Sequence, residues 1–340
     1  MKTTGFGVIG VGLWGEAHAM VYARHPHARL VAVCDLNPQR AQEVAARYGA
    51  ARWVTDYREL LADPAVAAVS VATPDFAHAE PVIAAARAGK HVLVEKPLAT
   101  TVAEGEAMVA AAGEAGVHLV VDFHNRWSPL FNHARAAVAG GELGRPLLVS
   151  LHMSNTKYVP TRMLSWGGRT SVLWFLGPHA VDLMCWLLGE RPVSVQALVR
   201  SGVLEGLGVS TPDLYAITLE FPSGAIGRLE CEWVLPDSQP NVCDFGGRLV
   251  GSEGAIYLDA LTHRDAAKFT AKAELLDLVG APMVQGEAHG FMLASIEHFA
   301  DCVISGRPPL VTGEEGLAVT RILCAIEEAA KTGQTVRLAG

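Results

Sequence analysis

Short runs of β-branched and other apolar residues alternate with alanine-rich segments over the first 123 residues. This alternation is typical of βαβ units, in which helices cover both faces of a parallel sheet. It predicts helices at 38–48, 77–88 and 102–115 and strands near 6–10, 30–34, 67–72, 91–95 and 117–123. Asn37 and Gly49 flank the first of these helices with start and stop chemistry. Residues 1–123 are therefore predicted to form a doubly wound α/β domain.

The pattern changes in the second part of the chain, where a predicted helix at 129–139 is followed by a succession of strands with short turns. The predicted strands lie at 146–154, 192–200, 214–221, 225–233, 244–250 and 255–258. Such a run favours an antiparallel sheet, and Phe221-Pro222-Ser223-Gly224-Ala225 has the composition of a hairpin turn. Residues 124–340 are predicted to form an α+β domain with a large, mainly antiparallel open sheet. A final helix at 314–331 could pack back on the first domain.

The amino-acid composition of the chain limits which kinds of molecule it is expected to bind. The chain has 340 residues, half of them hydrophobic, so two domains with sizeable cores are expected. A net charge of −8 argues against nucleic acid as a partner, because phosphates require clustered Lys and Arg. We expect no membrane partner and a cytoplasmic location, since the sequence shows neither a long apolar stretch nor a secretion signal. An open sheet face covered on one side only predicts a homo-oligomer, either a dimer or a tetramer.

A glycine motif lies where the first predicted strand ends. Gly10, Gly12 and Gly15 have the Gly-x-Gly-x-x-Gly spacing, with Leu13 and Trp14 between the last two. In a dinucleotide-binding turn, the first glycine allows a tight bend, the second lets a pyrophosphate approach, and the third lets the helix pack closely. An acid, Asp35, follows at the end of the next strand, where it could accept both ribose hydroxyls of NAD but would repel the 2′-phosphate of NADP. The sequence therefore predicts NAD as the cofactor.

The tripeptide Glu95-Lys96-Pro97 follows a later predicted strand of the same sheet, at the carboxyl edge where doubly wound folds bind ligands. A desolvated Lys96 beside a nicotinamide could hydrogen-bond a substrate hydroxyl and stabilise the developing alkoxide. The alternative is a solvated lysine before a rigid turn. Elsewhere, no Gly-x-Ser-x-Gly elbow, Cys-x-x-Cys pair or complete ligand set occurs, so neither a hydrolase triad nor a metal is predicted.

These motifs together resemble those of one oxidoreductase family. They are the glycine motif, Ala72-Thr73-Pro74 with His78, Glu95-Lys96-Pro97, and Gly177-Pro178-His179 followed by Asp182 and Trp186. The combination is similar to that of the Gfo/Idh/MocA family of glucose-fructose oxidoreductase and inositol dehydrogenase, over essentially the whole chain. The resemblance implies a Rossmann domain, a second domain whose open sheet makes oligomer contacts, and NAD(P)-dependent redox chemistry on a sugar or cyclic polyol. It also implies a cis bond between Lys96 and Pro97.

The resemblance also suggests roles for individual residues. His179 is expected to be the general acid/base, with Lys96 orienting the oxygen and Asp182 orienting either substrate or histidine. Many relatives have an aspartate four residues before this histidine, where this chain has Phe175, so the division of labour is open. The alternative for His179 is a helix-start histidine bonded to backbone.

Further residues are expected to line the cleft that binds cofactor and substrate. Asn125 is expected to bond the nicotinamide ribose or a sugar hydroxyl. Arg126 could instead form an interdomain ion pair, and Trp166 could simply pack. The predicted cofactor-binding residues are Gly10, Gly12, Leu13, Trp14, Gly15, Asp35, Thr73, Pro74, His78, Glu95, Lys96, Asn125 and Trp166. The predicted substrate-binding residues are Lys96, His124, Arg126, Arg169 and His179.

The function predicted from these features is NAD-dependent oxidation or reduction of a secondary alcohol on a sugar, cyclitol or related polyol. Two alternatives remain. One is NAD-dependent glycoside cleavage through a transient oxidation, which releases no net NADH. The other is a non-catalytic NAD-binding regulator, which the missing acid at Phe175 favours and the presence of Lys96 and His179 disfavours.

Overall fold

The computed structural model describes residues 3–260, 267–269, 273–275, 277, 279–285 and 287–338. It divides into two compact units. The first unit runs to residue 124 and also contains residues 292–320, and the second contains residues 125–291 together with the chain from residue 321 onward.

The first unit is a parallel α/β fold. Its main elements are β1 (Thr4–Ile9), α1 (Leu13–Arg24), β2 (Ala28–Cys34), α2 (Pro38–Tyr48), β3 (Arg52–Val54), α3 (Tyr57–Leu61), β4 (Ala68–Val71), α4 (Ala79–Arg87), β5 (His91–Val94), α5 (Val102–Ala115) and β6 (Leu119–Val121). The six strands are all parallel and have the order β3-β2-β1-β4-β5-β6. This confirms the predicted doubly wound sheet. The strand order reverses between β1 and β4, which is where such sheets bind ligands.

Local chemistry and burial explain these elements. The side chain of Asn37 accepts hydrogen bonds from the backbone N–H groups of Gln39 and Arg40 at the start of α2, and Gly49 ends the helix with φ of +69°. All four residues of β4 are buried, as expected for a strand with helices on both faces. The ring of Phe6 stacks on Tyr22, with centroids 4.5 Å apart, in the core between β1 and α1.

The second unit is built on a mixed sheet. Its elements are α6 (Pro129–Ala139), β7 (Pro146–Thr156), α7 (Val172–Leu188), β8 (Ser194–Arg200), α8 (Val203–Gly206), β9 (Leu214–Glu220), β10 (Ile226–Leu235), β11 (Cys243–Gly251), β12 (Ala255–Asp259), β13 (Ala267–Phe269), β14 (Ala273–Leu275), β15 (Met283–Val284), β16 (Glu287–Ala288) and β17 (Val336–Arg337). Between β16 and β17 lie α9 (Phe291–Ser305) and α10 (Gly313–Thr332), of which residues 292–320 belong to the first unit. The large sheet has the order β12-β11-β7-β10-β9-β8-β17. Its pairs are antiparallel except β7 with β10, which is parallel. The mainly antiparallel prediction is confirmed.

One face of this sheet is covered and the other is open. The predicted hairpin joins β9 to β10, with Gly224 at φ of +83° and the Phe221 N–H donating to Ala225 O at 3.0 Å. Alternate residues of β9 and β10 are buried, and α7 packs against both strands. The opposite face displays Leu198 and Tyr257, which are 60% and 78% exposed. Among the described helices, none has both the length and the apolarity for a membrane crossing.

Candidate functional site

The turn between β1 and α1 has the shape that the glycine spacing predicts. Gly10 has φ of +83°, and a Cβ there would lie 2.7 Å from Ala72 O. A Cβ on Gly15 would lie 1.8 Å from Gly10 O, so both positions require glycine for packing. A Cβ on Gly12, by contrast, would meet nothing within 4 Å. The turn is closed at its first and third glycines and open at the second, which fits a pyrophosphate there.

The N-terminus of α1 lies beside this open position. Gly12 is its N-cap residue, and no side chain caps the helix, so its amides and dipole face outward. Leu13, at the first helical position, is 73% exposed. Trp14 is half-buried and its ring stacks on His124, with centroids 5.6 Å apart. An uncapped helix start with positive partial charge is suited to an anion.

Asp35 follows β2 and is held by two backbone donors. Its carboxylate accepts from Val11 N at 3.0 Å and from Asn37 N at 2.9 Å. Arg40 supports the same turn from α2, donating from Nε to Val11 O at 2.7 Å and pairing with Glu16. The half-buried carboxylate is thus oriented beside the glycine turn, where it could accept hydrogen bonds from ribose hydroxyls.

Sequence reasoning missed two residues here. Leu36 is 92% exposed immediately after Asp35, so an apolar side chain lies uncovered at this edge. Arg40 lies in the first turn of α2 and braces the glycine turn. The position of Leu36 directly after Asp35 could have been noted from the sequence, whereas the contacts of Arg40 depend on how α2 packs.

The turns after β4 and β5 are joined by one histidine. The Nδ1 atom of His78 lies 2.8 Å from Pro97 O, and Nε2 lies 2.9 Å from Thr73 O. Burial lowers the pKa of His78, although both carbonyls oppose that shift. The Thr73 hydroxyl donates to Ala77 O at 3.0 Å. The peptide bond between Lys96 and Pro97 is cis, as the family resemblance implied.

Lys96 is subject to two opposing effects on its pKa. Burial lowers its pKa, while the carboxyl groups of Glu95, Asp75 and Asp122 oppose the shift. The same surroundings affect His124. Burial lowers its pKa to about 4; the Glu95 carboxylate opposes this shift and the Lys96 charge adds to it. Lys96 therefore gives up its proton more readily than a surface lysine does.

Glu95, predicted as a cofactor residue, places its carboxylate inside the first unit. Its Oε1 atom lies 3.1 Å from His18 Nε2, and the residue is 7% exposed. Burial would raise the pKa of Glu95, but the hydrogen bond from His18 and electrostatic interactions with its neighbours lower it to about 2. His18, Glu95 and Asp122 lie within 4.8 Å of one another. Because both nitrogens of His18 have hydrogen-bond partners, we assign His18 and Glu95 to a hydrogen-bonded network, with Asp122 beside it, and not to a metal site.

In the second unit, α7 presents the predicted His179 and Asp182 one turn apart. His179 is buried, with 5% exposure. Asp182 accepts a bidentate ion pair from Arg126, with Nε to Oδ2 at 3.0 Å and the terminal nitrogen to Oδ1 at 2.6 Å. The two side chains are 9% and 2% exposed. The ion pair lies within the second unit, and both oxygens of Asp182 are used in it.

The remaining predicted residues of the second unit differ in burial. Asn125 is buried, and among the described residues its Nδ2 atom has no hydrogen-bond partner, which suits a ligand acceptor. Trp166 is half-buried against Phe175, with ring centroids 6.3 Å apart, and Phe175 in turn contacts Trp233 at 5.5 Å. Arg169 is exposed. The position at which relatives were expected to have an aspartate is thus part of an aromatic cluster.

Comparison with known proteins identifies the family. Residues 4–123 match the model of an oxidoreductase family with an NAD-binding Rossmann fold, and residues 131–257 match the GFO/IDH/MocA C-terminal domain. A scyllo-inositol 2-dehydrogenase (NAD(+)) of Bacillus subtilis is 29% identical over 97% of this chain and 95% of its own. A levoglucosan dehydrogenase of Pseudarthrobacter phenanthrenivorans is 31% identical over 68% of this chain and 67% of its own.

The crystal structure of GenD2 from gentamicin A biosynthesis, in complex with NAD, has a TM-score of 0.84 to this chain. It is 26% identical and covers 100% of this chain and 97% of its own. Relatives named for NAD(+) and for NADP(+) both occur. The two matched domains, the parallel sheet with its glycine turn and the mainly antiparallel second sheet lead to one conclusion: the chain belongs to the Gfo/Idh/MocA family of NAD-binding oxidoreductases.

Proposed function

We propose that this protein is an NAD-dependent dehydrogenase that oxidises or reduces a secondary alcohol on a sugar, cyclitol or related polyol. The observation that carries the proposal is the position of Lys96 in the first unit. Its turn follows β5, the Thr73 turn follows β4 and the glycine turn follows β1, and these three parallel strands are neighbours. A lysine with a lowered pKa is therefore at the edge of the sheet where the dinucleotide turn is open.

The cofactor proposal is NAD in preference to NADP. Asp35 offers an oriented carboxylate to ribose hydroxyls, and the same charge would repel a 2′-phosphate. The exposed Leu36 would cover an adenine face, while Thr73 and Pro74 would border the ribose. The uncapped start of α1 would bind the phosphates, and Leu13 and Trp14 would contact the cofactor beside them. Bound NAD would supply the hydride acceptor and donor.

In the proposed chemistry, His179 takes the hydroxyl proton during oxidation and returns it during reduction. Imidazole suits both directions near neutral pH. The Lys96 ammonium orients the reacting oxygen and stabilises negative charge that develops on it. Asp182, with both oxygens paired to Arg126, positions α7 and does not itself exchange a proton. His124, Asn125 and Arg169 are proposed contacts for the substrate or the nicotinamide ribose.

Sugars and cyclitols present both C–H faces and hydroxyl groups, and the second unit offers both kinds of partner. The half-buried rings of Trp166 and Phe175 can take a C–H face, as aromatic side chains do with carbohydrate rings. The relatives named for scyllo-inositol and levoglucosan support this substrate class. Phe175 distinguishes this chain from an enzyme that holds a hydroxyl group with a carboxylate at the same helical position.

We also propose that the protein acts in the cytoplasm as a homodimer or homotetramer. None of the six cysteines, which all lie in the described part of the chain, forms a disulfide, as is usual in a reducing compartment. The open face of the large sheet exposes Leu198 and Tyr257 between polar neighbours, a surface that a second copy could cover. Analytical ultracentrifugation at micromolar concentration tests this point, and a monomer would contradict it.

The test of the proposed function is a panel of sugars and inositols with NAD and NADP supplied separately, followed by absorbance at 340 nm. We expect stoichiometric NADH from at least one polyol with NAD. Lys96→Ala and His179→Ala are each expected to lower kcat by about two orders of magnitude or more while the dissociation constant for NAD changes little. Glycoside cleavage without net NADH would favour the transient-oxidation alternative. A stoichiometric protein partner with no turnover on any polyol would favour the regulator.

A further inference from the structure

A row of four buried side chains lies in the first unit and ends at Glu95, the residue before Lys96 in the chain. The Tyr22 hydroxyl lies 2.5 Å from Ser70 Oγ, which lies 2.8 Å from His18 Nδ1. His18 Nε2 lies 3.1 Å from Glu95 Oε1. Tyr22, Ser70 and His18 are each 0% exposed. The row therefore satisfies its polar groups internally, without bulk water.

The chemistry of these groups gives the row one direction. An ionised carboxylate only accepts, so His18 must carry its proton on Nε2 and donate to Glu95. When the imidazole is neutral, Nδ1 then accepts from the Ser70 hydroxyl, and Ser70 Oγ accepts from the Tyr22 hydroxyl. Every hydrogen bond points toward Glu95, which holds the negative charge at that residue.

A second carboxyl group lies beside the row but outside it. Asp122 Oδ2 is 3.7 Å from His18 Nε2, too far for a hydrogen bond, and the Asp122 side chain is fully buried. Burial and the nearby Glu95 carboxylate raise the pKa of Asp122 well above its usual range, with only partial compensation from Ser295 and Lys96. Two adjacent buried carboxyl groups share one negative charge more easily than they hold two.

We propose that His18 is a positioning residue for the charge on Lys96. It fixes the single negative charge of the Glu95 and Asp122 pair on Glu95, the direct chain neighbour of Lys96, and so determines how readily the ammonium loses its proton. The other titratable groups that face this set are Tyr22, Asp75, His78 and His124. The inference depends on the proposed function only for the use that Lys96 makes of its proton.

The experiment is a direct titration of Lys96 in the whole protein without substrate. Lysines are reductively methylated with ¹³C-formaldehyde and followed by NMR over a pH series, and the Lys96 signal is assigned by its absence in Lys96→Arg. In His18→Leu the donor to Glu95 is lost, so the Lys96 ammonium loses electrostatic support. We expect its proton dissociation constant to rise about tenfold, equivalent to about one pKa unit.

Matched variants separate this effect from general disruption. His18→Gln keeps an N–H donor for Glu95 and is expected to return the titration most of the way to that of the unaltered protein. His118 packs against His91 at the amino-terminal ends of β5 and β6, whereas Lys96 follows the carboxyl end of β5. His118→Leu is therefore expected to leave the Lys96 titration unchanged. A folded His18→Leu protein with an unaltered Lys96 titration would overturn the proposal.

Two further measurements keep the test decisive if His18→Leu does not fold. Glu95→Gln keeps the shape of the side chain and removes its charge, so it is expected to lower the Lys96 pKa at least as much. In the unaltered protein, ¹⁵N NMR is expected to find the His18 proton on Nε2, and a proton on Nδ1 alone would contradict the proposal. Because neither measurement uses substrate, a shifted Lys96 in a protein that oxidises no polyol would leave this inference standing and refute only the proposed function.

Discussion

The Nδ1 atom of His78 lies 2.8 Å from the carbonyl oxygen of Pro97, so a histidine at the start of α4 holds the turn that presents Lys96. We expect His78→Leu to lower kcat by about 10- to 100-fold, because a displacement of about 1 Å at a reacting group can cost that much. His78→Asn, whose amide can reach Pro97 O, is expected to be less affected. Steady-state kinetics with thermal unfolding as a fold check measures this, and an unchanged kcat in His78→Leu would refute the positioning role.

The three glycines of the first turn are expected to respond differently to alanine. Gly12→Ala places its methyl group in open space, so the protein is expected to fold with nearly unchanged stability and to bind NAD at least about tenfold more weakly, because the methyl group occupies the pyrophosphate position. Gly15→Ala brings Cβ to 1.8 Å from Gly10 O and is expected to lower stability sharply. Urea unfolding and NAD fluorescence titration separate the two effects. Equal loss of stability in both variants would contradict the assignment.

Cofactor preference is expected to depend on Asp35. Asp35→Ser removes the charge that would repel a 2′-phosphate but keeps a small hydrogen-bonding side chain in the turn. We expect the ratio of kcat/KM for NAD to that for NADP to fall by about 100-fold, since loss of a like-charge contact and of a ribose bond each contribute roughly 1–2 kcal/mol. Leu36→Ala is the control, because it is expected to weaken both cofactors alike. A constant ratio in Asp35→Ser would show that the carboxylate does not face the ribose.

The ion pair between Arg126 and Asp182 is expected to contribute to the free energy of unfolding. Asp182→Leu leaves a buried guanidinium without its carboxylate, which costs about 3–5 kcal/mol in the free energy of unfolding. Replacing both residues, Arg126→Met with Asp182→Leu, removes the uncompensated charge and is expected to recover most of that loss. Urea unfolding measures both variants. If the double variant is no more stable than Asp182→Leu, the destabilisation has another origin.

The pH dependence of alcohol oxidation is expected to show an alkaline limit set by Lys96. The ammonium form is present below the Lys96 pKa and is lost as the pH rises through it, and burial brings that pKa below the ordinary lysine range. Lys96→Arg keeps a positive charge at all accessible pH values, so whatever turnover it retains is expected to lack the alkaline decline. Profiles of kcat against pH for the two proteins measure this. An alkaline limb that persists unchanged in Lys96→Arg would assign the limit to another group.

Features with a local cause could be predicted from the amino-acid sequence alone. The spacing of Gly10, Gly12 and Gly15 predicts the turn because backbone dihedrals and close approaches depend on residues within one strand and one helix. The same holds for the cap of α2 and for the hairpin at Gly224. The alternation of apolar runs predicted the parallel sheet of the first unit, although the short β3 and α3 were missed because three to five residues give too little periodicity.

Tertiary structure decided everything that joins distant parts of the chain. The parallel pairing of β7 with β10 depends on which strand edges meet after β8 and β9 are in place. Residues 292–320 join the first unit although they follow the second sheet in sequence. His18 meets Glu95 across 77 residues and Arg126 meets Asp182 across 56, and no local preference encodes those contacts. Burial then sets the charges, because proton affinities follow the solvent and the neighbours that folding leaves around each group.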